Sequence, residues 1–451
     1  MLRHAILGSL AFATLTGCAA RAPTVAPVAT AAAATVAADS DSDAGYRDAR
    51  RELALARTAY DAKDLPSFLQ HAERAAARAP ELVAALYTLA CAQALAGHAD
   101  VAAAALRRLA AARVYFDVAA DSDFDGVRAS PAFTAARQAL DAVRVTTVGH
   151  SDVAFTLPER DLVTEGLAFD RQSGAFFVSS VHKRKIVRVA RDGQVTDFIT
   201  SGRDGVWALF ALAVDPARGS LLALSAPTPE MLGYDPGQAG ATGVFEYDLA
   251  TAALRRKVLL PPQPEPRTFN DLVLAPDGTA YISDGRTGAI VTLAASATEL
   301  RPFLPAGVLT SAQGLAFAAD GKSLFVADYA RGLARIDLAT RAVHFLAAPR
   351  DTTLVGIDAL VADGAQLIAT QNGVRPARVV RLRPSVAGDR IEAATLLELN
   401  DARVEEPTLG TLVGRDFYYI ANSQWGSFDR DGHMWPWSKL KDPMVLKTRV
   451  D

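Results

Sequence analysis

The sequence predicts N-terminal helical repeats followed by a six-bladed β-propeller, a multidomain chain that is α first and all-β after. Three observations carry that expectation. A phrase of the form polar–small–Leu–Ala–apolar–Asp recurs through the C-terminal two-thirds, opening at Glu165, Phe210, Asn270, Gln313 and Asp358, with a degraded sixth copy at Thr408. Each copy leads through a turn into a second apolar run, and a spacing of roughly 40–60 residues marks four-stranded blades around a channel. Ahead of the phrases, residues 44–145 change to apolar positions at helical spacing.

Residues 1–17 read as a secretory signal. Arg3 and His4 precede the apolar run Ala5–Thr14, which is too short to span a bilayer. The run ends in Leu15-Thr16-Gly17-Cys18, which resembles the bacterial lipobox; the resemblance implies that Cys18 is lipidated and becomes the first mature residue. Residues 18–43, rich in Ala, Pro, Thr and Val, read as a tether. Ala19 stands where many inner-membrane lipoproteins carry aspartate, so the same resemblance implies a bacterial cell envelope protein, anchored in the outer membrane and facing the periplasm. Cys91 is the one other cysteine, and its Ala/Leu-rich surroundings make it a small buried hydrophobe.

Within residues 44–145, Leu53, Ala56, Ala59 and Tyr60 keep helical spacing, and Phe68, Ala72 and Ala75 resume it after the break at Asp64-Leu65-Pro66. Leu82 to Ala94 form the next helix, a turn at Ala96–Asp100 closes it, and Val101–Ala111 follow. Two such helix–turn–helix units of about 34 residues resemble tetratricopeptide repeats, and Asp121–Phe133 resembles the helical cap that follows them. Asp121, Asp123, Asp125 and Gly126 also match the start of an EF-hand loop. Its twelfth position is Ala132 rather than the bidentate glutamate, so these acids read as capping and turn residues.

The propeller is expected over residues 146–451. Turn signals such as Pro276-Asp277-Gly278 and Ala319-Asp320-Gly321 separate first from second strands. The stretch Val145–Leu157 supplies the last blade's outer strand and latches the ring. In an antiparallel blade the inner strand starts on the face where the second strand ends. Glu165, Asn270, Gln313 and Asp358 therefore share a rim with the loops of His182, Arg286, Tyr329, Asn372 and Trp425, and Trp207 enters from the connection into blade two. That rim is the expected site, with Trp207, Arg286, Tyr329, Asn372 and Trp425 facing a substrate.

Two carboxylates facing each other at about 4 Å repel by about 4 kcal/mol at an effective dielectric near 20. A cation neutralises them, or one carboxyl takes a proton. Amide oxygens from Asn270 and Gln313 beside Glu165 and Asp358 favour a divalent metal, calcium first, because hard cations take oxygen ligands. A plug of polar side chains bonded to one another or to a channel water is the alternative.

These phrases resemble the six-bladed calcium-dependent hydrolases, the gluconolactonase and senescence-marker-protein family with the paraoxonases. The resemblance implies that Glu165, Asn270 and Asp358 hold calcium and that Asp358 is nucleophile or base. Gln313 stands where the family carries Asn, one methylene longer. His182 is a second candidate base, beside Lys183, Arg184 and Lys185. The substrate class implied is a lactone or other ester. The competing expectation is a non-catalytic envelope scaffold that binds a protein partner through the helical repeats and the rim. A formal net charge of −3 gives nucleic acid no purchase.

Overall fold

The structure, a computed structural model, describes residues 40–429 and 432–451. Cys18, the signal and most of the tether lie outside the described residues. The helical part comprises α1 (Ser40–Asp61), α2 (Leu65–Arg78), α3 (Val83–Leu95), α4 (Ala99–Ala111) and α5 (Pro131–Val145). Local chemistry sets the breaks: Asp64 accepts from the Ser67 N–H at 3.1 Å, and Pro66 fits the first turn of α2. Gly97, at φ 80°, takes the left-handed conformation that ends α3. Helix α3 is apolar all round because it is covered on two sides. Leu86, Ala90 and Cys91 pack with α4, and Ala85 packs with Ala75 of α2. Asp121 caps the 3-10 turn Ser122–Val127 by accepting from the Asp123 N–H at 3.1 Å, the capping role expected of it.

The propeller consists of six four-stranded antiparallel sheets. Its inner strands are Thr164–Asp170, Ala208–Asp215, Phe269–Leu274, Ala312–Phe317, Ile357–Asp363 and Gly410–Val413. Five of them begin at the phrases read from the sequence, and the sixth begins inside the degraded copy. Strand Asp152–Thr156 pairs with Met444–Arg449 as the outer strand of blade six, so the expected latch closes the ring. Apolar side chains from both faces of each sheet, such as Phe177, Phe245 and Tyr247, fill the wedges between neighbouring blades.

The helices rest on the propeller. The Tyr115 N–H donates to Arg375 O at 2.7 Å, and Val374 is buried with Ala112 and Val114. The Asn400 amide donates to Val143 O and Thr146 O at 2.7 and 2.6 Å, fixing the end of α5. These contacts bind the two parts at the backbone, which side-chain periodicity does not announce.

Candidate metal centre

The start of each of the first five inner strands is bulged. The pairing register skips Glu165–Gly166, Phe210–Ala211, Asn270–Asp271, Gln313–Gly314 and Asp358. A bulge re-aims a side chain, which is how alternating strands turn four polar residues toward one place. A hydroxyl on the neighbouring second strand catches the freed N–H in three blades: Ser179 for Gly166 at 2.7 Å, Ser283 for Asp271 at 3.0 Å, and Thr370 for Ala359 at 3.1 Å. Gly314 is required at its bulge, since a Cβ there would sit 2.4 Å from Leu360 N.

The acids at this end of the channel are buried. Trp425 donates its indole N–H to Glu165 Oε2 at 2.6 Å, and Asn372 donates to Asp358 Oδ2 at 2.7 Å. Tyr329 in turn donates to Asn372 Oδ1 at 2.9 Å. Burial pushes Asp358 up to about 7, with Glu406 adding repulsion against the Asn372 hydrogen bond. Burial first and the Asp358 charge second hold Glu165 well above the usual carboxylate range. Asp271 lies next to Asn270, accepts from the Leu272 and Leu315 N–H groups at 2.8 and 3.1 Å, and is pushed up to about 7 by burial. The channel holds a cavity of about 270 Å³, lined by Asp271 and Thr411 as well as by Leu167, Leu272 and Leu360.

The two amides are linked. Asn270 Nδ2 donates to Gln313 Oε1 at 2.8 Å, and Gln313 Nε2 donates to Ser311 Oγ at 3.1 Å. This leaves Asn270 Oδ1 buried with no hydrogen-bond partner. A buried amide oxygen without a donor costs about 1–3 kcal/mol, and a cation would satisfy it. The donor set of two carboxylates and an open amide oxygen therefore fits a hard divalent ion.

Of the expected rim residues, Trp425, Asn372 and Tyr329 are joined to the axial acids. His182 and Trp207 are hydrogen-bonded to residues outside the axial set. His182 donates Nδ1–H to Glu230 O and lies 5.8 Å from the Phe428 ring. Trp207 donates its indole N–H to Gln238, and the Arg286 backbone N–H donates to Asp284 Oδ1. Glu406, absent from the expected site, belongs to it: burial raises its carboxyl, and it accepts the Trp425 N–H at 2.9 Å.

Among the described residues, one group of three His, Cys, Asp or Glu side chains has ligand atoms mutually within 4.8 Å, and it lies in the helical part: Cys91, Asp121 and Asp123. Tyr87 donates to Asp121 at 2.6 Å and Tyr60 to Asp123 at 2.8 Å. One Asp123 oxygen has no partner, yet burial holds the Cys91 thiol well above its usual range, and a protonated thiol is a poor ligand.

No protein-family model matches the chain, and no curated protein matches it. Solved structures that resemble it include a luciferin-regenerating enzyme, at 14% identity and a TM-score of 0.48 over 67% of this chain and 95% of that one. A gluconolactonase from Xanthomonas campestris gives 15% and 0.44 over 68% and 99%. Regucalcin, a calcium-binding protein from Agrobacterium tumefaciens, gives 16% and 0.45 over 66% and 93%. Likeness at these levels bears on neither the site nor its chemistry.

Proposed function

We propose that this chain is a lipid-anchored envelope protein whose propeller holds one calcium ion at the mouth of its channel and hydrolyses a small ester or lactone. The observation that carries the reading is the Asn270 Oδ1 atom, buried and without a donor at the end of the channel that also buries Glu165 and Asp358. Glu165, Asn270 and Asp358 would supply the ligands. Gln313 holds the Asn270 amide N–H, so the carbonyl oxygen is the end left open. Bound calcium would polarise the substrate's carbonyl oxygen. Asn372 fixes one Asp358 oxygen, which leaves the other for attack or for accepting a proton from water. Trp425 fixes Glu165 in the same way and stacks 28° from the plane of Phe210, closing the site on that side.

Metal analysis of the full chain purified without chelator tests this reading. One calcium per chain is expected, lost in Glu165→Ala and Asp358→Ala; a wild type with no metal and no calcium-induced rise in Tm refutes it. The anchor is tested by Cys18→Ser, which should abolish palmitate labelling. A second reading, a non-catalytic scaffold binding a protein through tetratricopeptide-like helices, is favoured by one observation. Glu165, Asp358 and Gln313 each already accept a hydrogen bond, as a polar plug would.

A further inference from the structure

Two short segments run from the helices to the axial acids. Val355 packs against Tyr46, Ala75, Leu82 and Ala85 of the helical part and lies three residues before Asp358. Val374 is buried with Ala112 and Val114 and lies two residues after Asn372, the donor to Asp358. The two segments are bonded to each other and to the blade-four loop. The Gly356 N–H donates to Tyr329 O at 2.8 Å, and the Gly373 N–H donates to Gly356 O at 3.0 Å. A Cβ on Gly373 would lie 2.4 Å from Gly356 Cα and 2.7 Å from Tyr329 Cζ, so glycine is what lets these three strands of chain close together.

Arg378 fastens the far end. It is 3% exposed, and its guanidinium donates to Arg113 O at 2.6 Å, Ala112 O at 3.4 Å and Pro376 O at 3.3 Å. Those first two carbonyls lie just past the end of α4, where the helix dipole is negative and a cation is favoured. A buried guanidinium with carbonyl partners alone is stable while that helix end stays in place, because withdrawing them leaves a desolvated charge. Around it the contact is open, with a cavity of about 450 Å³ lined by Arg113, Thr353, Gln371 and Thr395. The connection is therefore made at separate points, among them Arg378 and Arg331, whose guanidinium lies 4.9 Å from the Tyr46 ring of α1.

We propose that the helical part positions the Asp358–Asn372 corner of the axial centre, with Arg378 as the positioning residue. The consequence for calcium rests on the metal reading above, whereas the mechanical link stands apart from it. The test compares the full chain with Arg378→Ala, Arg378→Lys and Arg381→Ala. The last removes a donor to Val450 O from the same strand without touching a helix. Hydrogen exchange over residues 355–359 and 371–374 should quicken at least tenfold in Arg378→Ala, recover in part with lysine, and stay unchanged in Arg381→Ala. Calorimetric calcium affinity should fall about fivefold in Arg378→Ala and be unaffected in Arg381→Ala. Unchanged exchange in Arg378→Ala overturns the proposal whatever calcium does, and faster exchange with unchanged affinity overturns the positioning role. A wild type that binds no calcium removes the metal reading, and the exchange result still decides the link. Should Arg378→Ala fail to fold, Val374→Ala carries the same comparison.

Discussion

Shifting the calcium-free protein from about pH 5 to about pH 8 places a charge on acids that folding has buried. Asp358 is the measurable case. Burial raises its carboxyl from 3.8 to about 7 in the folded chain, so folding favours the neutral form. A group raised in this way contributes fully below its unfolded value, near pH 4, and its contribution is lost as pH rises through about 7. The difference, 7 − 3.8 or about 3 pKa units, corresponds to about 4 kcal/mol at 1.36 kcal/mol per unit. Of this, about 3 kcal/mol falls between pH 5 and 8. Urea unfolding of the wild type and Asp358→Asn at both pH values, with chelator present, measures it. The wild type should lose about 3 kcal/mol more than the variant, whose amide does not titrate. Calcium at a hundredfold excess over Kd should then return about 2.7 kcal/mol to the wild type at pH 8 and nothing to the variant. Equal pH slopes in the two proteins would falsify the assignment of Asp358 as a buried, cation-free acid.

Trp425→Phe keeps the ring and removes the N–H that holds Glu165; a hydrogen bond to a charged group is worth about 2 kcal/mol, so calorimetry should show calcium binding about thirtyfold weaker. Gln313→Ala frees the Asn270 amide and should weaken calcium binding about fivefold, the equivalent of about 1 kcal/mol; tighter binding would mean that the long side chain obstructs the ion. Asp123→Asn should leave the calcium-induced rise in Tm intact, and its disappearance would move the ion into the Cys91 cluster.

The axial residues were legible because each opens a repeated phrase and a bulge presents it to the channel. Glu406 was not, since it precedes the degraded sixth phrase and reaches the sheet through a lone bridge to Asn422. The hydroxyls of Ser179, Ser283 and Thr370 look like ordinary strand residues until their partners across the sheet are known. His182 shares the expected loop face, and Glu230 O holds its Nδ1–H, a tautomer the sequence does not disclose that leaves the lone pair on Nε2. Gln313 read as a ligand one methylene too long, whereas the structure gives that extra length a use in spanning to Asn270. Arg378 was invisible for a different reason. In Arg378-Val379-Val380-Arg381 it reads as one of two charged strand positions, and only the end of α4 distinguishes it.

The seam in blade six bears on the order in which the molecule is assembled. Asp152 pairs with Lys447, so the strand synthesised first in the propeller waits for nearly the last. Joining chain ends separated by about 300 residues costs about 5 kcal/mol in loop entropy, and contacts of such separation form late. Helix α5 ends at Val145, just ahead of that waiting strand, and Asn400 of blade five grips its end. The helices can thus fold early, and the propeller residues that seat them, up to Asn400, precede the strand that shuts the circle. An interrupted chain would carry a finished helical head on an open fan of blades, with its outermost edges unpaired and ready to join a second copy.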